Sequence, residues 1–241
     1  MVESCIYGVD VNDLAVELAK LSLWILSMDR GMPLSFLNPH LRRGNSLIGA
    51  RLADIGRFPR VGRSRSVQLQ PSFFGENAAF KEAVATAIDR YASIEQKDST
   101  SLNAIEEKKS LLAEAEQDLA PYKSICSFHT HVFFDRQIDD VQYQAVLDGS
   151  SDPSLVIDKH GSDYFHWELE FPGICLSKGG FTCIVCNPPY DTFTENAYFA
   201  AARGAGTGNL FSHFIASQIP LNAQGGSIGF VVPLSLACGS T

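Results

Sequence analysis

Long apolar runs are missing from this sequence. No stretch approaches the ~20 residues needed to cross a bilayer, and Met1-Val-Glu-Ser-Cys5 has neither the basic start nor the apolar middle of a secretory signal. The expected location is the cytoplasm, with no membrane partner. Cysteine is sparse, six in 241 residues with no framework spacing, which suits free thiols in a reducing compartment rather than a disulfide scaffold. Cys183 and Cys186 form a C-x-x-C, but three positions along a strand puts two side chains on opposite faces, and no metal site is expected there. Positive charge is also short: the formal net charge of −8 argues against general affinity for nucleic acid. What the chain does have is 45% hydrophobic residues and enough length for one large domain with its own core.

The charge is unevenly spread. Between Arg42 and Arg65 stand seven arginines (Arg42, Arg43, Arg51, Arg57, Arg60, Arg63 and Arg65) and one acid, Asp54. Such a local excess either meets phosphates or forms a solvated basic loop.

One stretch stands apart from the rest. Phe181 to Cys186 is a short apolar run with Gly179-Gly180 before it and Asn187-Pro188-Pro189-Tyr190 after it, which predicts a strand buried on both faces, as in a parallel sheet. Proline cannot donate to a ladder and restricts the residue before it, so Pro188 and Pro189 end the strand and stiffen the corner that presents Asn187 and Tyr190. In open α/β sheets ligands bind beyond the carboxyl ends of strands. An amide and an aromatic ring fixed there suit a flat polar substrate, while the bland alternative is a simple turn.

From the amino end, Ser4 to Val11 reads as another strand, with Asp10 near its end. Asn12 or Asp13 then caps a predicted sheet-covering helix whose stripe is Leu14, Leu18, Leu21, Ile25 and Met28. A carboxylate at a strand end is the usual acceptor for both hydroxyls of a nucleotide ribose, which makes Asp10 a candidate; helix capping is the alternative. Leu41 to Ile48 carries a turn, Gly44-Asn45-Ser46; an exposed amide at a strand edge can bind an adenine edge, but by itself this turn says little. From about residue 50 to 165 the character changes to an arginine-rich loop and then two helical stretches, Asn77 to Gln96 and Asn103 to Ala120, the second with a capping box from Asn103 and Glu106. They predict a helical hairpin inserted between strands. His129 and His131 share a face if extended and are expected to pack rather than bind metal. Ala202 to Asn209 contains G-x-G-x-G without a preceding strand, hence a loop. Leu210 to Ile219 predicts an amphipathic helix and Gly225 to Pro233 a buried strand, closing a strand, helix, parallel strand unit.

Taken in order, Tyr7-Gly-Val-Asp-Val-Asn12 with Ala15 to Trp24, Gly44-Asn-Ser-Leu-Ile-Gly49, His166-Trp-Glu-Leu-Glu-Phe-Pro172 with Asn187-Pro-Pro-Tyr190, and Asn209-Leu-Phe211 with Gly225 to Pro233 resemble the large adenine-specific DNA methyltransferases of restriction-modification and phage-defence systems. The resemblance implies an α/β fold, a class I Rossmann-like sheet with a helical insertion. Three parts are implied: 1–50 and 166–241 belong to the methyltransferase domain, and 51–165 is the basic loop and insertion. It also implies S-adenosylmethionine as cofactor, with Asp10 at its ribose and the Asn45 turn near its adenine, where many relatives carry aspartate. Asn187 and the Pro188 carbonyl would accept from the amino group of an adenine flipped out of double-stranded DNA, Pro189 would stiffen the corner, and Tyr190 would stack on the base. The glycine-rich first motif of that family would precede Met1, and its target-recognition domain would follow Thr241. The expectation is therefore a fragment, weakly active alone, whose partners include the remaining parts of the same enzyme or allied restriction subunits. Two alternatives are a protein-glutamine methyltransferase, which uses the same acceptor logic, and a non-catalytic remnant.

Overall fold

The computed structural model describes residues 5–27, 37–59, 73–97, 101–135, 137–155, 164–192, 198 and 209–233. It is a mixed α/β chain. Among the described residues four strands form two parallel pairs: β1 (Gly8–Asp10) with β2 (Leu41–Arg43), and β3 (Phe181–Cys186) with β4 (Asn222–Phe230). The first pair is in register Gly8 to Leu41 and Asp10 to Arg43. The second runs from Phe181 opposite Asn222 to Cys186 opposite Phe230, with one irregularity between Phe181 and Cys183.

Helix α1 (Asp13–Ser27) connects the first pair. Asp10 Oδ1 accepts from the Asn12 N–H at 2.8 Å, and Asn12 Oδ1 accepts from the Leu14 N–H at 2.9 Å, so of the two candidate caps Asn12 does the capping. The helix packs through Val16, Ala19 and Leu23 on Leu37 and Leu41. This corrects the predicted stripe: Leu14, Leu18, Leu21 and Ile25 are all exposed, and Met28 lies outside the described residues. The helix is apolar on two sides, and periodicity cannot say which side meets the sheet.

Among the described residues, the largest core lies between the helices of residues 73–147, not on the strands. Helices α2 (Ala78–Gln96) and α3 (Leu102–His131) pack as a hairpin through Phe80, Val84, Ala87, Ala115 and Leu119, joined by Tyr143 and Val146 of α4 (Asp140–Leu147). Asn77 caps α2. Ser101, not Asn103, caps α3, whose side chain accepts from the Ala104 N–H at 3.2 Å. The helix runs on through Pro121 to His131, so His129 and His131 are helical and do not share a strand face. His129 instead meets the Tyr143 hydroxyl at 2.6 Å, inside the packed core.

The lead-in to β3 is a turn of helix (Trp167–Glu170) and a π-type turn (Gly173–Ser177). Helix α5 (Leu210–Gln218) then crosses between β3 and β4. The expectation that β3 is buried on both faces fails. Its residues are half-buried or exposed and none is buried, with Val185 80% exposed. The reason is in the pairing: among the described residues β3 has one neighbouring strand, and the faces and far edge of an apolar strand stay open unless something covers them. Strand β4 likewise is half-exposed along its length. Tyr7, just before β1, packs edge-on to Phe181 at the start of β3 (ring centroids 5.8 Å apart). A cleft of about 140 Å³ separates the two pairs, lined by Gly8 and Val9 on one side and Cys183 to Cys186 on the other. No described helix is long and apolar enough to cross a membrane.

Candidate active site

Strand β3 delivers the corner. Asn187 follows its last residue and is exposed, Pro188 is buried, and Pro189 and Tyr190 are exposed. The chain turns back on itself there: the Tyr190 hydroxyl stands 3.2 Å from Asn187 Oδ1 and 3.2 Å from the Val231 carbonyl, with one proton to donate between them. The Val231 N–H donates to the Cys186 carbonyl at 3.0 Å, so the ends of β3 and β4 stay joined one step past the ladder. The corner is thus held by both strands, with an amide oxygen and half of an aromatic ring facing solvent.

Asp10 and Asn45 come from the other pair. Asp10 ends β1 and is exposed; Oδ1 holds the Asn12 N–H, and its backbone carbonyl accepts from the Gly44 N–H at 2.9 Å. Asn45 follows one residue later, beside a strand end that carries Asp10. Its Oδ1 accepts from the Leu47 N–H at 3.1 Å, so the amide nitrogen is the group it has to offer outward. The two residues are neighbours across the carboxyl end of the same strand pair.

The basic cluster is divided by its contacts. Arg42 is half-buried, pairs with Glu116 of α3, bonds the Tyr91 hydroxyl at 3.0 Å, and lies 3.9 Å from Glu170. Arg43 pairs with Asp13 at 3.3 Å. Both face carboxylates of the same chain, whereas Arg57 is exposed and Arg60, Arg63 and Arg65 lie outside the described residues, as does the G-x-G-x-G up to Gly208.

Several residues that hold the site escape a reading of the sequence alone. Trp167 Nε1 donates to the Ser46 carbonyl at 3.0 Å, and Glu168 Oε2 accepts from the Leu52 N–H at 2.6 Å. Buried His166 accepts from the Ala50 N–H through Nδ1 at 3.1 Å, which leaves Nε2–H to donate to Ser127 Oγ at 3.0 Å. Burial, with the Lys123 charge, pushes its imidazole down to about 3, and burial pushes the Glu168 carboxyl up. The lead-in to β3 therefore anchors the loop that follows β2. Tyr198 holds the same loop from the far side, at Gly49. The sequence marked His166 to Pro172 as a segment of the family resemblance but gave no sign of the loop it would hold.

The sequence profile of the Eco57I restriction-modification methylase family matches residues 4–239. The chain belongs to that family. The matched span includes Asp10, Asn45 and Asn187 to Tyr190. The chain is also similar to a protein of Methanocaldococcus jannaschii described as "Putative type II restriction enzyme and methyltransferase", with 24% identity over 269 aligned residues, covering 97% of this chain and 22% of that protein. The chain thus spans about a fifth of the length of the curated relative it matches. No solved structure matched.

Proposed function

We propose that the chain is the catalytic part of a site-specific DNA methyltransferase that transfers a methyl group from S-adenosylmethionine to N6 of an adenine flipped out of double-stranded DNA. The corner Asn187-Pro-Pro-Tyr190 carries the proposal, because it presents a fixed amide oxygen and an open aromatic ring at a strand's carboxyl end in a restriction-modification methylase.

The two strand pairs are read as halves of one sheet in the order β2, β1, a further strand, β3, β4. That order matches the doubly wound pattern in which the first strand is central. The cleft between β1 and β3 is then the place of that strand and its glycine-rich turn, and 51–165 is an insertion within the methyltransferase domain. The cofactor fits the residues present. Asp10 is exposed and has Oδ2 outside its contact with Asn12, as an acceptor for ribose hydroxyls requires, and Asn45 has its amide N–H groups for an adenine ring nitrogen.

S-adenosylmethionine supplies an electrophilic methyl group when bound. The residues of this chain do the rest. The amino group of adenine is a poor nucleophile because its lone pair is delocalised into the ring. Asn187 Oδ1 and the Pro188 carbonyl accept its two N–H groups and draw the lone pair out of the ring plane, so the corner contributes orientation and electrostatics rather than a strong base. Flipping the base costs a few kcal/mol, and stacking on Tyr190 offsets about 1–3 kcal/mol of it.

The test is methyl transfer by the intact protein, with labelled cofactor, to duplex DNA and to glutamine-bearing peptides, and mass spectrometry of the product nucleosides. N6-methyladenine is the expected product. Asn187→Ala should abolish turnover while cofactor affinity stays within about tenfold, roughly 1.4 kcal/mol. Methylated cytosine, methylated glutamine, or near-normal turnover in the variant would refute the assignment.

A further inference from the structure

The turn that carries Asn45 is gripped from two sides. Trp167, in the lead-in to β3, holds it at the Ser46 carbonyl. Tyr198, eight positions beyond Tyr190, holds it at Gly49: the hydroxyl accepts from the Gly49 N–H at 2.9 Å and donates to the Gly49 carbonyl at 2.8 Å. Tyr198 belongs to the segment between Thr192 and Asn209, whose ends meet in an antiparallel bridge backed by the bond from the Leu210 N–H to the Asp191 carbonyl at 3.0 Å. Its side chain is 1% exposed, with the ring stacked on Phe134 and edge-on to Phe133.

Packing explains the ring but not the hydroxyl. A phenylalanine would fill the same space, and a buried hydroxyl is unfavourable unless its hydrogen bonds are met. Here both are met by the backbone of the loop, at Gly49, four positions from Asn45, with the Leu47 carbonyl a second acceptor at 3.5 Å.

We propose that Tyr198 is a positioning residue that fixes the Asn45 turn through the Gly49 backbone, so that the cofactor side of the site keeps one geometry. This rests on the methyltransferase function above. Tyr198 touches neither reactant; it acts through Gly49. In-line methyl transfer is sensitive to misplacements of about 1 Å, so hydrogen bonds that fix the turn on the cofactor side have a direct effect on rate.

The experiment compares Tyr198→Phe and Phe134→Leu in the intact protein. Tyr198→Phe should raise the S-adenosylmethionine dissociation constant about tenfold and lower kcat, with KM for DNA unchanged, while Phe134→Leu lowers Tm but leaves cofactor affinity within about twofold. Unchanged cofactor affinity in Tyr198→Phe, or an equal loss in both variants, would overturn the role and reduce Tyr198 to packing. Hydrogen exchange on the wild-type protein gives a test independent of any variant: the Gly49 amide should exchange more slowly when S-adenosylmethionine is bound, and exchange indifferent to cofactor counts against the proposal. A wild-type protein that binds no S-adenosylmethionine would remove the underlying function, an outcome distinct from a failure of Tyr198 alone.

Discussion

The Tyr190 hydroxyl has one proton and two acceptors, Asn187 Oδ1 and the Val231 carbonyl, each at 3.2 Å. If Asn187 grips the target amine, that hydroxyl shares an oxygen with the substrate, whereas the ring serves the base by stacking. The two parts of Tyr190 therefore separate by mutation. Tyr190→Phe keeps the ring and is expected to hold single-turnover methylation within about fivefold of wild type, because one shared neutral hydrogen bond contributes only about 0.5–1.5 kcal/mol. Tyr190→Ala loses stacking of about 1–3 kcal/mol, roughly a fivefold to 150-fold loss in binding of the flipped base. Rates that fall equally in both variants would show that the hydroxyl, not the ring, matters. What the sequence shows of Asn187, Tyr190, Asp10 and Asn45 is their local setting, because prolines, a strand-end acid and a Gly-Asn-Ser turn have local meaning. That Asn45 points its oxygen at the Leu47 N–H was not legible, since an amide's direction is set by contacts around it.

At the scale of elements, the strand pairs depend on how β3 begins. Gly179 and Gly180 both have positive φ, +75° and +123°, but only Gly180 is crowded: an added Cβ would stand 2.5 Å from the Leu221 carbonyl oxygen and 2.8 Å from the Ala223 nitrogen, at the start of β4. Gly179→Ala is expected to cost about 1–2 kcal/mol for the left-handed backbone alone. Gly180→Ala should cost about 2–4 kcal/mol, as strain adds to a clash with backbone. Urea denaturation of the two variants checks the order, and equal midpoints would contradict it. Helix existence was easier to foresee than helix orientation. α2, α3 and α5 follow their apolar spacing, whereas α1 turns its second apolar side inward because Leu37 and Leu41 are the residues it meets. α3 outruns its predicted end at Ala120 because Pro121 is tolerated within it and Cys126 and Phe128 are buried in the insertion core.

For the molecule as a whole, two buried imidazoles, His129 in α3 and His166 in the lead-in to β3, bear on stability. Burial, reinforced by the neighbouring His166, pushes His129 down to about 3 from its ordinary 6.5, and burial with the Lys123 charge brings His166 to about 3 as well. Both are neutral in the fold. The unfolded chain binds these protons below 6.5 and the folded chain does not, so their contribution is intact above that pH. It is lost as pH falls from 6.5 toward 3, by up to about 1.4 kcal/mol per pH unit for each imidazole. Glu168, raised by burial, works in the opposite sense at the acidic end. Urea midpoints at about pH 7.5 and about pH 5.5 should therefore differ, with the lower value in acid. A midpoint constant across that interval would contradict the assignment of both histidines as buried and neutral.

The amino-acid sequence by itself determined the local features: an apolar run stopped by two prolines, an acid at a strand end, a turn of Gly-Asn-Ser, and helices marked by spacing and caps. Each of these depends on residues within a few positions of one another, and backbone sterics make their meaning independent of the rest of the chain. Only the tertiary structure decided which apolar side of α1 is buried, that β3 is open where its composition suggested burial, and that Arg42 faces carboxylates rather than solvent. It alone brought Trp167 and Tyr198 onto one turn from more than a hundred residues away. Those contacts join segments whose chemistry says nothing about each other until the insertion has packed and the two strand pairs stand side by side.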